Sequence, residues 1–376
     1  MQYKKGENMI PISKPVITET EIKAVVDVLK SGMIASGPKV KELEENLKSF
    51  FNFKNVIATA NGTCALHAAL FGLGIKEGDR VLTTPFTFIA TANSILHAGA
   101  TPVFADIDEK TFNINAEAIR ERLKKDKKIK AIMVVHLYGR VCRMDEIMKI
   151  SKEYGVKVIE DAAQSHGAKF KGNFAGSFGD AAAFSLYATK NITTAEGGFV
   201  TTKNEKIANK IRSFINHGQE KVYYHTMPGY NYRMTDIEAA IGIEQLKKLN
   251  EFNEKRRKNA EKLKQILKKY DWIILPQESK DDYHIYHQFT IRVKNGLRDK
   301  LLKTLNENGV GAKIFYPIPI HKQPFYKKLL TEKYSFPVSE KIAKEVLSLP
   351  VHPLLNENDF ELIKAVFQKF EKEFLN

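Results

Sequence analysis

The 376-residue chain has few cysteines and no long apolar run, and both shortages exclude classes of protein. Cys64 and Cys142 are the only cysteines, which is too few for a disulfide framework or a cysteine-based zinc site. No apolar run is long enough to span a membrane, and residues 1–8 are too polar and charged for a secretory signal. We therefore expect a protein of the reducing cytoplasm that has no membrane partner.

Three further patterns are missing. No Gly-x-Gly-x-x-Gly follows an expected strand, which argues against a nicotinamide-binding fold. The ten histidines show no metal-ligand spacing, so we expect no metal site. The net charge of +15 invites a nucleic-acid partner, but residues 247–269 alternate Lys with Glu as a solvated helix face does, and no nucleic-acid-binding motif is present. The positive charge better suits attraction of an anionic nucleotide diphosphate.

Short apolar segments alternate with amphipathic ones between residues 55 and 200. The expected strands are residues 56–60, 80–83, 101–105, 129–135 and 156–159. Helical patterns such as 64–73 and 87–98 lie between them. This alternation predicts an α/β fold with a mostly parallel central sheet and flanking helices.

A long helical pattern from residue 235 to about 269 divides the chain. Beyond it, residues 286–293 are strand-like, and residues 297–307 and 359–374 have helical periodicity. We expect a large α/β domain at residues 10–245. A smaller α+β domain at residues 246–376 would include most of the long helix.

Lys190 stands in a polar turn between two apolar strand patterns, within residues 184–198. A lysine that is held between strands and shielded from water has a lowered pKa and can form a Schiff base with a carbonyl. Pyridoxal phosphate is anchored by this chemistry. The alternative is a surface lysine, which is the usual state of lysines.

Asp161 follows the apolar segment 156–159, directly after Glu160. In open α/β sheets the ligand crevice lies beyond the carboxyl ends of the strands. An aspartate at this place can pair with a protonated pyridine nitrogen, although Asp also caps helices.

A third candidate site lies where the strand at 56–60 passes through Gly62-Thr63 into a helix. The free N–H groups of a helix N-terminus can bind a phosphate. The same spacing would also serve a bare turn.

Taken in chain order, these segments resemble the DegT/StrS-like sugar aminotransferases, which are fold-type I pyridoxal-phosphate enzymes. The resemblance extends from Ile10 to about Lys372. Its motifs are Asn61-Gly62-Thr63, Thr84-Pro85-Phe86-Thr87-Phe88, Glu160-Asp161-Ala162-Ala163-Gln164, the Lys190 loop ending in Glu196-Gly197-Gly198, Gly229-Tyr230-Asn231-Tyr232-Arg233-Met234, Tyr316-Pro317-Ile318-Pro319-Ile320-His321 and Leu349-Pro350-Val351-His352-Pro353. Many relatives have His-Pro-Thr-Lys or Phe-Pro-Ser-Lys where this chain reads Tyr187-Ala188-Thr189-Lys190, but the lysine is kept.

The resemblance implies pyridoxal 5'-phosphate as cofactor and gives the catalytic roles to Lys190 and Asp161. Lys190 would carry the Schiff base and act as general base, and Asp161 would keep the pyridine nitrogen protonated. Phe88 would stack on the cofactor ring, and Gln164 would contact the ring hydroxyl. The phosphate would be held by the turn at Gly62, by Thr63, by the Cys64 backbone N–H and by Ser185.

The resemblance also implies a homodimer with shared active sites. Asn231, which we expect to be buried among tyrosines, would reach the phosphate of the neighbouring subunit. Arg233, Tyr316 and His321 would face a nucleotide-sugar substrate. His321 can instead be a structural histidine.

The activity implied is transfer of an amino group from an amino acid, glutamate or glutamine, to a nucleotide-linked ketosugar. The segments 217–219 and 316–324 look most like relatives that aminate C3 of a UDP- or dTDP-linked 3-keto sugar, with C4 amination as the alternative. Two other functions share this fold. A sugar dehydratase would carry histidine in place of Lys190, and a non-catalytic regulator would lack Lys190 or Asp161.

Overall fold

The computed structural model describes residues 9–330 and 334–375, so the expectation about a secretory signal at residues 1–8 lies outside the described residues. Within them the chain forms twelve α-helices, two 3₁₀ helices and fifteen strands. The helices are α1 (Glu19–Ser31), α2 (Pro38–Phe51), α3 (Gly62–Gly72), α4 (Ala90–His97), α5 (Ala116–Lys125), α6 (Met144–Tyr154), α7 (Glu205–Phe214), α8 (Asp236–Leu267), α9 (Arg298–Glu307), α10 (Pro324–Leu329), α11 (Pro337–Glu345) and α12 (Glu357–Phe374). The 3₁₀ helices are Leu137–Gly139 and Ile320–Lys322. None of the helices in the described ranges is long and apolar enough to cross a bilayer.

The strands form one large sheet and three small ones. They are β1 (Asn55–Thr59), β2 (Arg80–Thr83), β3 (Thr101–Phe104), β4 (Ile129–Val135), β5 (Lys157–Asp161), β6 (Lys169–Phe170), β7 (Asn173–Phe174), β8 (Ala181–Ser185), β9 (Gly198–Thr202), β10 (Gln219–Lys221), β11 (Tyr224–His225), β12 (Ile273–Ile274), β13 (Asp282–Tyr283), β14 (Phe289–Val293) and β15 (Val346–Leu349). The large sheet has the order β1-β9-β8-β5-β4-β2-β3. Only β9 runs against its neighbours in this sheet, which confirms the mostly parallel α/β fold.

The central strands are apolar on both faces because helices cover both sides of the sheet. All five residues of β8 are buried, and three of them are alanines, Ala181 to Ala183. These small side chains let α3 pack closely on the sheet; α3 is itself apolar around most of its circumference, as a helix inside a core must be. The start of α3 therefore lies directly against the end of β8.

Two expected boundaries differ from the structure in an informative way. The strand expected at 156–159 continues to Asp161, so the carboxylate stands on the strand itself. The helix expected from residue 87 begins only at Ala90, after a loop in which a threonine side chain bonds the nearby backbone. Thr84 Oγ1 accepts from the Phe86 N–H at 3.1 Å.

A second core forms around β12, β14, β15, α9 and α12. The long helix α8 contributes to both cores, with residues up to Phe252 in the large one and residues from Ala260 onward in the small one. The expected domain boundary at residue 245/246 therefore falls inside a continuous helix, before its packing changes. Ile10 also packs in the small core and pairs with Val310.

The start of α8 is joined to the start of α2 by one buried carboxylate. Asp236 accepts hydrogen bonds from the backbone N–H groups of Gly37 (2.8 Å), Lys39 (3.1 Å) and Val40 (3.0 Å). These donors are orphan groups at the N-terminus of α2, whose own N-cap residue is a glycine without a side-chain acceptor. Asp236 thus caps a helix that lies almost 200 residues away in the sequence.

Asp236→Ala should lower the free energy of unfolding by about 2–3 kcal/mol, because buried N–H groups lose a charged acceptor. Denaturant unfolding followed by circular dichroism measures this. The matched control is Asp271→Ala, at an exposed carboxylate, where we expect a change within about 0.5 kcal/mol. Equal effects of the two substitutions would contradict the capping role.

Candidate active site

Most of the predicted site residues lie at one edge of the large sheet, where the parallel strands end. Asp161 is the last residue of β5 and Ser185 the last residue of β8. Gly62 opens α3 after β1, and Phe88 lies in the loop after β2. Open α/β sheets bind their ligands at this edge.

Lys190 lies in the loop between β8 and β9 and is partly buried. Burial lowers the pKa of its ammonium group to about 8, and the nearby carboxylate of Asp161 opposes this shift. The partial burial argues against the surface-lysine alternative, and the direction of the pKa shift agrees with the one expected from the sequence. An amine with this pKa has a substantial neutral, nucleophilic fraction near neutral pH.

Asp161 is buried and held by two donors. Thr91 Oγ1 donates to Asp161 Oδ2 at 2.7 Å, and the Ala163 N–H donates to Oδ1 at 3.2 Å. Burial raises the pKa of Asp161, while these hydrogen bonds and the positive charge of Lys190 lower it. The next element after Asp161 is the strand β6, and every residue between them is described, so the alternative of a helix cap is wrong.

The phosphate end of the predicted site is built on contact between α3 and β8. A Cβ at Gly62 would lie 2.7 Å from Ser185 Cβ, so only glycine allows the helix start to approach this closely. The structure differs from the expectation at one atom. The Cys64 N–H, assigned to the phosphate, donates to Asn61 Oδ1 at 2.9 Å. Within the described residues, the N–H groups of Gly62 and Thr63 have no acceptor, so the helix start still offers two donors.

Gln164, Tyr316 and Phe88 come together although they are far apart in the sequence. Gln164 Oε1 accepts from the Tyr138 N–H at 2.8 Å, and its Nε2 donates to the Tyr316 hydroxyl at 3.1 Å. The Tyr316 ring lies 6.1 Å from that of Phe88. The Phe88 ring is 56% exposed, and an uncovered aromatic face beside polar groups is suited to stacking on a planar ligand.

The expected burial of Asn231 is not found within its own chain. Its side chain is exposed instead of buried among tyrosines, because Tyr230 and Tyr232 stack on each other beside it at 4.7 Å. The Tyr232 carbonyl accepts from the Ala60 N–H at 2.8 Å, which places this segment beside the turn before α3. Arg233 is partly buried and donates to Asn216 Oδ1 at 2.7 Å.

His321 is a correction to the predicted substrate contacts. Its ring is buried against Phe336, and its Nε2 pairs with Glu340 Oε1 at 3.0 Å. Burial lowers its pKa, and the Glu340 carboxylate opposes this shift. A buried ring with this partner matches the structural histidine that the sequence left as the alternative.

Sequence reasoning missed the contact of Thr91 with Asp161 and the role of Asn61 as a helix cap. Thr91 belongs to α4 and holds Asp161 from 70 residues away, so no local pattern could reveal this contact. Asn61 is the N-cap of α3, and the Asn-Gly-Thr start of that helix was a sufficient signal for it.

Comparison with known proteins identifies the family of the chain. The profile of the DegT/DnrJ/EryC1/StrS aminotransferase family matches residues 15–368, and the chain belongs to this family. The chain is 40% identical to a pleiotropic regulatory protein of Geobacillus stearothermophilus (94% of this chain, 95% of the relative). It is 35% identical to a GDP-perosamine synthase of Caulobacter vibrioides (96% and 98%). It is also 36% identical to a UDP-2-acetamido-2-deoxy-3-oxo-D-glucuronate aminotransferase of Pseudomonas aeruginosa (90% and 92%).

Solved structures agree as well. A DegT DnrJ EryC1 StrS aminotransferase from Brucella abortus has a TM-score of 0.88 at 34% identity, covering 94% of this chain and 95% of that one. Spr1654 from Streptococcus pneumoniae in its PMP form has a TM-score of 0.91 at 28% identity, covering 98% of each chain. The predicted fold and the predicted class of enzyme, an aminotransferase, are thereby confirmed.

The cofactor of this family is pyridoxal phosphate, as predicted. The residues present fit it. The Gly62 turn leaves space and two N–H donors for an anion, and Phe88 exposes an aromatic face. A partly buried Lys190 of lowered pKa lies within electrostatic reach of the buried Asp161.

Thr91→Val should lower kcat by about tenfold to a hundredfold. A hydrogen bond to a charged group contributes about 1.5–3 kcal/mol, and its loss frees Asp161 to move and to accept a proton. Steady-state kinetics at saturating cofactor measures this. Thr91→Ser keeps the hydroxyl and is expected to retain most of the activity. If the serine and valine variants lose activity equally, the methyl packing of Thr91 matters and its hydroxyl does not.

Proposed function

We propose that this protein transfers an amino group from an amino acid, glutamate in the first place, to a nucleotide-linked sugar with a 3-keto group. The observation that carries the proposal is the combination of Lys190 and Asp161 at the carboxyl edge of the sheet, with opposite shifts in pKa. The relative from P. aeruginosa, which is named for a 3-oxo sugar linked to UDP, supports the keto position.

Each residue has a distinct task in this proposal. When bound, pyridoxal phosphate supplies an electron sink for the amino-acid carbanion. Lys190 attaches the cofactor and moves the α-proton, for which a pKa of about 8 is well matched. Asp161 keeps a proton on the ring nitrogen. Phe88 would cover the ring, and Gln164 and Tyr316, which are hydrogen-bonded to each other, would line its polar side.

The other end of the cofactor has its own set of residues. Ser185, Thr63 and the N–H groups at the start of α3 would hold the phosphate. Arg233, with Asn216 on its guanidinium, contributes a positive charge that suits the diphosphate of a sugar nucleotide.

The names of two relatives support alternative functions. C4 amination is supported by the relative named GDP-perosamine synthase. A regulatory role is supported by the name of the G. stearothermophilus relative. Retention of both Lys190 and Asp161 favours an enzyme over a non-catalytic regulator and over a dehydratase.

We further propose a homodimer in which Asn231 completes the phosphate site of the neighbouring subunit. One feature of the surface supports an interface here. The hairpin formed by β10 and β11 carries exposed apolar and aromatic side chains at its tip, including Tyr223 at 91% and Tyr224 at 60% exposure. Aromatic residues of this kind are enriched in subunit interfaces.

Lys190→Ala should abolish transamination and the visible absorbance of the Lys190-bound cofactor, and the fold should remain intact. Lys190→Arg should fail as well, because a guanidinium does not form the imine. Absorbance before and after borohydride, together with circular dichroism, separates loss of chemistry from loss of fold. Full activity of the purified Ala variant would end the proposal.

The substrate is tested with a panel of UDP- and dTDP-linked sugars that carry the keto group at C3 or at C4, with glutamate as donor. We expect kcat/KM to be at least about tenfold higher for the 3-keto sugars, which corresponds to about 1.4 kcal/mol of transition-state discrimination. Preference for the 4-keto sugars would replace the proposal by C4 amination. Absence of turnover with every sugar, in a protein that binds the cofactor through Lys190, would favour the regulator.

Shared active sites are tested by mixing Asn231→Ala with Lys190→Ala at limiting cofactor. Loss of a charge-assisted hydrogen bond worth about 1.5–3 kcal/mol should weaken cofactor affinity roughly tenfold to a hundredfold in the Asn231 variant. In a mixed dimer one site then receives both defects and the other receives neither. About half of the wild-type activity per mixed dimer should return.

The same mixture made with Asn250→Ala and Lys190→Ala is the control, because Asn250 is an exposed amide on α8. Its activity should equal that of the Asn250 variant alone, diluted by the inactive subunits. If subunit exchange is verified and the Asn231 mixture shows no gain, Asn231 serves its own chain, beside its own Ala60 turn.

A further inference from the structure

A chain of buried amide side chains runs from the long helix α8 to the residue next to Lys190. Asn253 of α8 donates from Nδ2 to the His166 carbonyl at 2.9 Å. Asn191 donates from Nδ2 to Asn253 Oδ1 at 2.7 Å, and Asn191 Oδ1 lies 3.1 Å from His287 Nδ1. Asn191, Asn253 and His287 are all buried, so these contacts are shielded from competing water.

The direction of donation along these hydrogen bonds is fixed by the His166 carbonyl. A backbone carbonyl can only accept, so Asn253 must turn its NH₂ group toward His166 and its oxygen toward Asn191. Asn191 must then turn its own NH₂ group toward Asn253 and its oxygen toward His287. An amide oxygen accepts only, so the proton in the last contact is carried by His287 Nδ1.

A second contact joins the same helix to the same histidine. Arg256, one turn beyond Asn253 on α8, is buried and donates from Nη1 to the carbonyls of Tyr286 (3.3 Å) and His287 (3.2 Å). Helix α8 therefore holds the backbone of His287 directly and its side chain through Asn191.

We propose that Asn253 is a positioning residue, which through Asn191 holds the Lys190 loop in place and fixes His287 as the neutral imidazole protonated on Nδ1. Asn191 follows Lys190 directly, so its buried side chain anchors the backbone that carries the catalytic amine. The tautomer inference is independent of the enzyme's activity, whereas the positioning role rests on the proposed function of Lys190.

A neutral His287 has an electrostatic consequence for Lys190. Burial lowers the pKa of His287 well below its usual range, and the positive charges of Lys190 and Arg256 and the neighbouring His166 lower it further. His166, which is also buried, has its pKa lowered to about 3 by burial and by Lys190. Two imidazoles close to Lys190 thus add no positive charge, and Asp161 is the charged group that opposes the ammonium.

The first test is ¹⁵N NMR of the histidine-labelled holoenzyme, with the His287 signals assigned by their loss in His287→Gln. We expect a proton-bearing Nδ1 and a lone-pair Nε2. A His287 ring protonated on Nε2 alone, or on both nitrogens at neutral pH, would overturn the proposed tautomer. This result does not depend on any substrate, so it stands or falls separately from the proposed function.

The second test is Asn253→Leu, which leaves Asn191 without its orienting acceptor. We expect loss of the single tautomer and a fall in kcat of about tenfold to a hundredfold, with KM for the amino donor changed by less than about threefold, because a displacement of about 1 Å at a catalytic group has effects of this size. Asn250→Leu makes the same change at an exposed position of the same helix and should leave both readouts unchanged. Wild-type tautomer or wild-type kcat in Asn253→Leu would overturn the proposal.

Asn253→Asp keeps the test decisive if the leucine variant fails to fold. A buried carboxyl has a raised pKa, and in its protonated form it can donate to the His166 carbonyl and accept from Asn191, as the amide does. We expect this variant to keep the wild-type tautomer and to retain kcat within about threefold. A folded Asp variant with the tautomer retained but kcat lost as in Asn253→Leu would contradict positioning through Asn191.

Discussion

Strands β5 and β8 run side by side in the same direction, and this arrangement decides where the chemistry of the molecule lies. Their carboxyl ends bring Asp161 and Ser185 to one edge of the sheet. The chain then turns back into the antiparallel strand β9, and Lys190 lies on the loop between β8 and β9. Reversal of the direction of either parallel strand would place these residues at opposite ends of the sheet.

Local patterns were enough to find the residues whose roles depend on their own segment. The Lys190 loop lies between two recognisable strands, Asp161 ends an apolar strand, and Gly62 stands between a strand and a helix. The alternation of strands and helices predicts that most strands are parallel, so the sequence also indicated that these residues share one edge of the sheet. The family resemblance added the cofactor, which no spacing could have supplied.

Contacts between distant segments could not be predicted in this way. The hydroxyl that donates to Asp161 comes from Thr91, and the ring of His321 is covered by Phe336. Each depends on how loops and helices pack after the sheet has formed. The exposure of Asn231 has the same origin, because stacking of the two adjacent tyrosines decides which side chain of that segment remains outside.

Burial at the sheet edge lowers the pKa of Lys190 and raises the pKa of Asp161. Because each shift reflects a disfavoured charged form, both shifts reduce the stability of the fold at neutral pH. The pKa of Lys190 falls from 10.5 to about 8, so between these values the unfolded chain binds more protons and the free energy of unfolding rises with pH. Below about pH 8 the folded protein carries the whole penalty of a buried ammonium.

The pKa of Asp161 is raised, so above the ordinary pKa of aspartate the folded chain binds more protons than the unfolded chain, and stability falls with rising pH there. Near neutral pH the shifts in the pKa of both residues therefore lower the stability of the fold. Their mutual attraction and the Thr91 hydrogen bond offset part of this penalty. The remainder must be met by interactions away from the site, such as the Asp236 cap on α2, where a buried charge stabilises the fold and takes no part in the chemistry.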